Sequence, residues 1–215
     1  NTFVYIGGQY TTAINLALIG TTSSPIISVI LARIFLKEYI GWQKIAGMTL
    51  CVVGILYLLS KGDFQNLLSF QFTRGDAWVL AAGLSFAIYN TMVKRKPAAV
   101  SPLSFLFVVF SIGTLVLLPF YLYETSYTVP VKWNMNLALI ILYLSLGASV
   151  ICFLIWNIAI GKLGAGRAAL FGNLIPLFSS LEAVLILHES FTAVHIASII
   201  LVIAGILRAN IRFSR

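Results

Sequence analysis

Long apolar runs separated by short polar connections fill the chain. Phe3 to about Tyr10 reads as the tail of a helix, and Ala13 to Leu36 as the first complete one, closed by Lys37 and Glu38. Trp42 to Ser60 follows. A polar stretch, Lys61 to Arg74, separates it from Gly75 to Met92, which ends on the basic run Lys94, Arg95, Lys96 and then Pro97. Leu103 to Tyr123, Leu137 to Ala159, Arg167 to Leu187 and Thr192 to about Leu207 complete the series. Each full run has about 16 to 24 residues, which at ~1.5 Å per residue spans or nearly spans a hydrocarbon core ~30 Å thick. The runs are continuously apolar and do not alternate, which excludes a membrane β-barrel. The pattern predicts an all-α integral membrane protein with seven full transmembrane helices and a partial one.

Composition agrees: 60% of the 215 residues are hydrophobic and 9% charged, against roughly 25% charged in a soluble domain. So few charges cannot coat a water-facing surface, and they also exclude a disordered tail or a coiled coil. The net charge of +8 does not mark a nucleic-acid binder, because the basic residues sit in connections between spans and do not gather on one surface. Crossing parity places 11 Lys and Arg on one side, among them Arg33, Lys37, Lys44, Lys162, Arg167 and Arg208, and 3 on the other (Lys61, Arg74, Lys132). The rich side, which includes the C-terminus, is expected to be cytoplasmic, in a bacterial inner membrane. Tyr123, Tyr127 and Trp133 then fit an aromatic belt at the outer interface, or are ordinary loop aromatics. Cys51 and Cys152, both inside apolar runs, are expected to be small buried hydrophobes, without disulfide or metal.

Compared with itself at an offset of 151, the chain shows 12 identities over the 40 positions from 17 to 56. They include Pro25 with Pro176, Ser28 with Ser179, Glu38 with Glu189 and Gly54 with Gly205. Chance in such a composition gives roughly one in ten. The matched helices are five spans apart, an odd number, so the copies must cross in opposite directions, a hallmark of secondary transporters. The second copy begins near Gly75, so the same offset starts the first about 76 residues before Asn1. An intact protein of ten spans and about 290 residues is therefore expected.

The stretch Gly8-Gln9-Tyr10-Thr11-Thr12-Ala13, then Pro25, Phe35-Leu36-Lys37-Glu38 and Gly47 to Leu56, resembles the end of an EamA-type domain of the drug/metabolite transporter superfamily. Gly75-Asp76-Ala77-Trp78 and Ser85-Phe86-Ala87-Ile88-Tyr89 resemble the opening of a second one, closed by Pro176, Glu189 and Gly205. The resemblance implies a ten-helix bundle of two inverted five-helix repeats that carries small metabolites. It divides the chain into the end of a first repeat (1–60), an external linker (61–74), a second repeat (75–209) and a cytoplasmic tail (210–215). Glu182 departs from the family pattern, which has an apolar residue there.

Glu182 lies well inside its span. An ionised carboxylate there is costly, so the group is expected to be protonated, paired or facing a wet cavity, and it is the leading candidate for substrate binding or proton coupling. Pro25 and Pro176 each remove a backbone hydrogen bond at matched mid-span positions, and matched interruptions point to a transporter site. The freed carbonyls can meet a ligand or be satisfied by Thr21, Thr22 and Ser28 in one copy and by Asn173 and Ser179 in the other. Asn173, Pro176 and Ser180 share a helix face expected to look inward, with Glu182 to its side. Tyr89, Asn90, Trp156 and Asn157 sit near the basic ends of their spans, and Tyr5 aligns with Trp156; they line a cavity, bond between helices or anchor the interface. Gly7, Gly8, Gly161, Gly164 and Gly166 permit close helix packing. Glu38 and Glu189 are expected to favour the positive end of the helix that follows each.

An enzyme finds no support. His188-Glu189 resembles the start of a zinc-protease motif, but position 192 is Thr where a second ligand is needed, and His195 comes too late. No P-loop or GxSxG elbow occurs. The expected function is a secondary transporter, an exporter of small organic metabolites with amino acids foremost, working by alternating access with or without protons and without cofactor. A passive channel or membrane receptor is the rival. A sugar-phosphate or nucleotide-sugar antiporter needs cavity cations, for which Arg167 is the candidate.

Overall fold

The computed structural model describes residues 2–63, 65, 71–128, 133–187 and 192–210. Its regular elements are all helical: α1 (Thr2–Gly8), α2 (Ala13–Leu36), α3 (Trp42–Leu59), α4 (Arg74–Arg95), α5 (Pro102–Thr125), α6 (Met135–Leu142), α7 (Cys152–Leu163), α8 (Ala165–Leu170), α9 (Ile175–Leu187) and α10 (Ala193–Asn210). A π-helical stretch, Tyr143–Ile151, joins α6 to α7, and a 3-10 turn, Phe171–Leu174, joins α8 to α9. Helix starts are set by small polar caps: Thr12 accepts from the Asn15 amide (3.2 Å), Ser101 from Ser104 (3.0 Å) and Asn134 from Leu137 (2.8 Å). Lys37 ends α2 in the left-handed region, with φ of 55°.

Among the described residues six helical segments are long and apolar enough to cross a membrane. They are Asn15–Leu36, Trp42–Leu59, Pro102–Thr125, Met135–Leu163, Ala165–Ile186 and Ala193–Asn210. The seventh expected span, Gly75 to Met92, lies in α4, a helix of 22 residues that is more polar than these six. The stub at the start is α1. Parts of both long connections, and His188, Glu189 and Lys132 with them, lie outside the described residues.

The chain divides into two compact units, Asn1–Lys94 with Leu163–Arg215, and Arg95–Lys162. The first is built on α3 against α10. Gly47 faces Gly205 and Ala209, Cys51 faces Val202, and Gly54 faces Ser198, Leu201 and Val202, so the two helices run antiparallel. The Cys51 Sγ lies 3.5 Å from the Val202 carbonyl oxygen, and these positions are 151 residues apart. Contacts on either side mirror one another: Gly47 with Gly205, and Ser198 with Gly54, where Ser198 and Gly205 are the mates of Gly47 and Gly54 at that offset. The seam needs its glycines, since a Cβ on Gly205 would stand 2.6 Å from the Gly47 oxygen and 2.7 Å from the Cys51 sulfur. In lipid, where apolar surface gains little by leaving the solvent, such close packing is what holds helices together. Ile55, Leu177 and Ile206 complete this core.

In the same unit α2 and α4 run parallel. Asn15 meets Asp76 near their starts, Ser23 meets Gly83 midway, and Ser28 meets Asn90 near their ends.

In the second unit Phe110 of α5 meets Phe153 of α7 edge-on at 5.8 Å, and Leu106 is the one buried hydrophobic residue of α5. Cys152 is exposed, against expectation, while Cys51 is fully buried. No residue of α6 or of the π-helical stretch before Cys152 is buried, so an apolar run here does not by itself mark a core position.

Candidate functional site

The matched prolines sit in unlike surroundings. Pro25 lies inside α2, which continues unbroken through it. Pro176 follows a four-residue 3-10 turn that carries Asn173. Both prolines are buried. Thr21 and Thr22 donate to the carbonyls of Ala17 and Leu18, at 2.6 Å each, one turn before the carbonyl that Pro25 frees. Ser28 accepts from Asn90 Nδ2 (3.1 Å). The expected satisfaction of the Pro25 gap by these hydroxyls is therefore corrected: they back-bond to their own helix or hold a neighbouring one.

In the second copy Asn173 is 1% exposed, with its carboxamide within reach of the Cys51 thiol and, among the described residues, no better aligned partner for Nδ2 or Oδ1. A buried, poorly satisfied amide beside a helix interruption is unusual in a folded interior. Ser180 is half-buried and donates to the Leu177 carbonyl (2.9 Å). Ser179 and Glu182 are exposed, on the face of α9 that also shows Phe178, Leu185 and Ile186. Neither makes a side-chain hydrogen bond or ion pair with the described residues. The structure thus brings Asn173 and Pro176 to one face, and Ser179 and Glu182 to another.

Tyr89 is half-buried and stacks on Phe86, with ring centroids 6.0 Å apart. Trp156 is half-buried and Asn157 fully buried, both in the second unit. Tyr5 is exposed. Tyr89, Asn90, Ser28 and Thr22 belong to the α2 and α4 side of the first unit.

Two polar clusters at opposite ends of α2 join segments far apart in sequence. At its start, the fully buried Asp76 carboxylate accepts from the Thr11 hydroxyl, from Asn15 Nδ2 (3.0 Å) and from the Thr73 amide (2.7 Å). Asn15 also donates to the Gln71 carbonyl (3.0 Å). Gly75 makes this possible, because a Cβ there would stand 2.6 Å from the Tyr10 carbonyl carbon and 2.7 Å from the Thr11 nitrogen. In the sequence Thr11 and Asp76 stand out only as letters of the motifs Gly8 to Ala13 and Gly75 to Trp78. The signal was present in a lone acid in the first turn of a helix, three residues after Thr73.

At the other end, Glu38 accepts from the amides of Ala165 (3.0 Å) and Gly166 (3.3 Å), and Lys44 Nζ stands 3.5 Å from Glu38 Oε2. Glu38 was expected to serve the helix after it, α3. It serves α8 instead, and α3 starts at Gly41 with no side-chain cap. The left-handed turn at Lys37 swings Glu38 away from the α3 axis. Arg167 lies near Lys44, so the cation that a sugar-phosphate carrier would need forms part of this cluster. Among the described residues no group of His, Cys, Asp and Glu could hold a metal.

A family model described as "EamA-like transporter family" matches residues 1–60 and 73–211. A Bacillus subtilis protein named uncharacterized transporter YyaM is 26% identical over 214 residues, covering 98% of this chain and 68% of its own length. Another from the same organism, named uncharacterized transporter YetK, is 29% identical over 203 residues, and there the chain spans 60% of the relative. A Salmonella typhimurium protein named probable amino-acid metabolite efflux pump is 24% identical over 216 residues, covering 95% of this chain and 70% of its own. A solved crystal structure superposes with a TM-score of 0.75 at 16% identity, over 97% of this chain and 71% of that one, which shows the fold.

Proposed function

Because the chain belongs to the EamA-like transporter family, we propose that it is the larger part of a ten-helix secondary transporter that exports small organic metabolites by alternating access between two inverted five-helix repeats. Residues 1–60 then end the first repeat, 61–74 link outside, 75–209 form the second repeat and 210–215 a cytoplasmic tail. The observation that carries the reading is the antiparallel α3–α10 seam, whose contacts mirror about Cys51 and Val202, two positions related by the sequence repeat. A two-fold relation of this kind is what opposite insertion of two copies produces. The family match in two stretches supports the division, and the basic residues support an inward C-terminus in a bacterial inner membrane.

Amino acids are the leading substrate class. The similarity to a protein named for amino-acid metabolite efflux supports this choice. Asn173 beside the Pro176 break supplies the polar contact; Tyr89, Asn90 and Thr22 of the first unit, and separately Trp156 and Asn157 of the second, are the other candidates for substrate contact. Ser179 and Glu182, two polar residues on an otherwise apolar face of α9, are the other candidates, with Glu182 as the proton-coupling group.

The test is transport by the full-length protein in proteoliposomes with radiolabelled amino acids. Saturable uptake and counterflow are expected; linear, non-saturating flux would establish a channel. Glu182→Gln should abolish the response to an imposed pH gradient while counterflow continues, and unchanged coupling would remove Glu182 from the mechanism.

A further inference from the structure

We propose that Glu38 is a positioning residue for the transport cycle: its carboxylate latches the α2–α3 hairpin to the start of α8, and its release onto Lys44 lets the Lys/Arg-rich end open. The inference rests on the transporter reading above.

The contact is long-range, reaching 127 residues from Glu38 to Ala165 and 128 to Gly166. It joins the first copy to the helix that opens the matched half of the second, so the two copies cannot part at this end while it holds. The chain is shaped around it. Gly164 has φ of +91°, a conformation that side chains rarely adopt, and a Cβ there would stand 2.8 Å from Glu38 Oε1. A Cβ on Gly166 would stand 2.6 Å from Lys44 Nζ and 3.0 Å from Glu38 Oε2. Both glycines leave room for a carboxylate and an ammonium group, which is more than helix packing asks of them.

The geometry also gives the carboxylate two sets of partners on different elements, the start of α8 and Lys44 of α3. The Ala165 and Gly166 amides move with α8. Lys44 is in the same hairpin as Glu38 and is itself 7% exposed. Arg33 Nη1 donates to the Glu38 carbonyl (3.4 Å) and holds the hairpin end together. At 3.5 Å the Lys44–Glu38 pair is longer than the ~2.8 Å of a good charge-assisted hydrogen bond, which leaves ~0.7 Å to close when the amides depart. The carboxylate therefore stays satisfied in the latched and the released state, and the released amides meet water as any helix start does. A static staple needs no second partner.

The two roles differ in what Lys44 does. In the full-length protein with Cys51 and Cys152 replaced by Ala, Ala169→Cys places a thiol on a buried position of α8 behind the latch. A membrane-impermeant maleimide added from the Lys/Arg-rich side reads how often that end opens, without substrate. Glu38→Gln should raise the labelling rate about tenfold, because a neutral amide binds the α8 N–H groups more weakly. Lys44→Met should lower it severalfold and slow counterflow, because the carboxylate then has nowhere to go. Thermal melting confirms that each variant is folded, and Lys44→Met decides alone if Glu38→Gln does not fold. Labelling that rises in both variants, or changes in neither, overturns the latch and leaves a static staple. Absent counterflow with an intact opposite response would overturn the transporter reading and keep the latch.

Discussion

Replacing Asp76 tests whether the α2 start is held by one buried carboxylate. In Asp76→Ala three donors lose their acceptor: the Thr11 hydroxyl, one of the two bonds of Asn15 Nδ2, and the Thr73 amide. Thr11 is a rotor and can turn to another acceptor, and Asn15 keeps the Gln71 carbonyl. The Thr73 amide is fixed. One orphaned backbone donor and one weakened side-chain donor cost about 1–3 kcal/mol each, and a small cavity adds to that. Relief of the carboxylate's own desolvation returns part, so the net loss is about 3 kcal/mol. For a chain of this size that lowers Tm by about 6–12 °C. Asp63 is the internal control: it is exposed and accepts one bond, from the Gln65 amide at 2.9 Å, so Asp63→Ala should cost about 0.5 kcal/mol or less. The assay is the thermal melting of the purified full-length variants in one detergent, followed by fluorescence-detected size exclusion. An Asp76→Ala melting temperature within about 2 °C of wild type, or a loss no greater than that of Asp63→Ala, refutes the account.

Three further outcomes follow from the packing. Gly205→Ala puts a methyl group against the Gly47 carbonyl and the Cys51 sulfur, which should cost about 1–3 kcal/mol by the same melting assay, whereas Gly161→Ala meets nothing within 4 Å and should be neutral or stabilising. N-ethylmaleimide on the detergent-solubilised protein should modify Cys152 and spare Cys51 until the protein is unfolded, read by mass spectrometry of the two peptides. Asn90→Leu removes the donor to buried Ser28 and should cost about 1–2 kcal/mol, while Ser85→Leu, on an exposed part of the same helix, should change little.

The helices were legible because lipid demands long apolar runs, and each expected run from Ala13 on is largely helical in the structure, one of them through a π-helical stretch and one through a 3-10 turn. The seam between α3 and α10 was legible only in part: Gly54 and Gly205 stood out as a matched pair, but Gly47 pairs with a Ser198 mate and gave no identity. Contact geometry needs a small residue at both, and Gly and Ser both serve. The π-helical stretch had no local sign, since Tyr143–Ile151 is apolar like its neighbours and its pitch is a matter of packing. Glu38 was read as a cap from its position before Trp42. Which helix it serves depends on a contact 127 residues away, and no local pattern carries that. Asp76 was passed over for a similar reason: its partners come from the α1–α2 turn and the residues before α4, and only the fold brings them together.

The two copies hold corresponding places where they touch and differ in local structure where one of them is interrupted. Cys51 and Val202, Gly54 and Gly205 hold corresponding places in one seam, and a change on one side must be answered on the other. At the prolines that constraint is absent. Thr22 back-bonds within an unbroken α2, while its mate Asn173 sits in a 3-10 turn with its amide poorly satisfied. Leu31 in the first copy answers to Glu182 in the second. A buried amide without good partners and an acid in an apolar span each cost free energy that a pure scaffold would shed. Both costs fall in the second copy, in one candidate membrane span, within nine residues of each other. If they are retained for substrate or coupling, restoring the first copy's residues with Asn173→Thr and Glu182→Leu should raise Tm by a few degrees and abolish counterflow together. A double variant that is more stable and transports as well as wild type would place the site elsewhere.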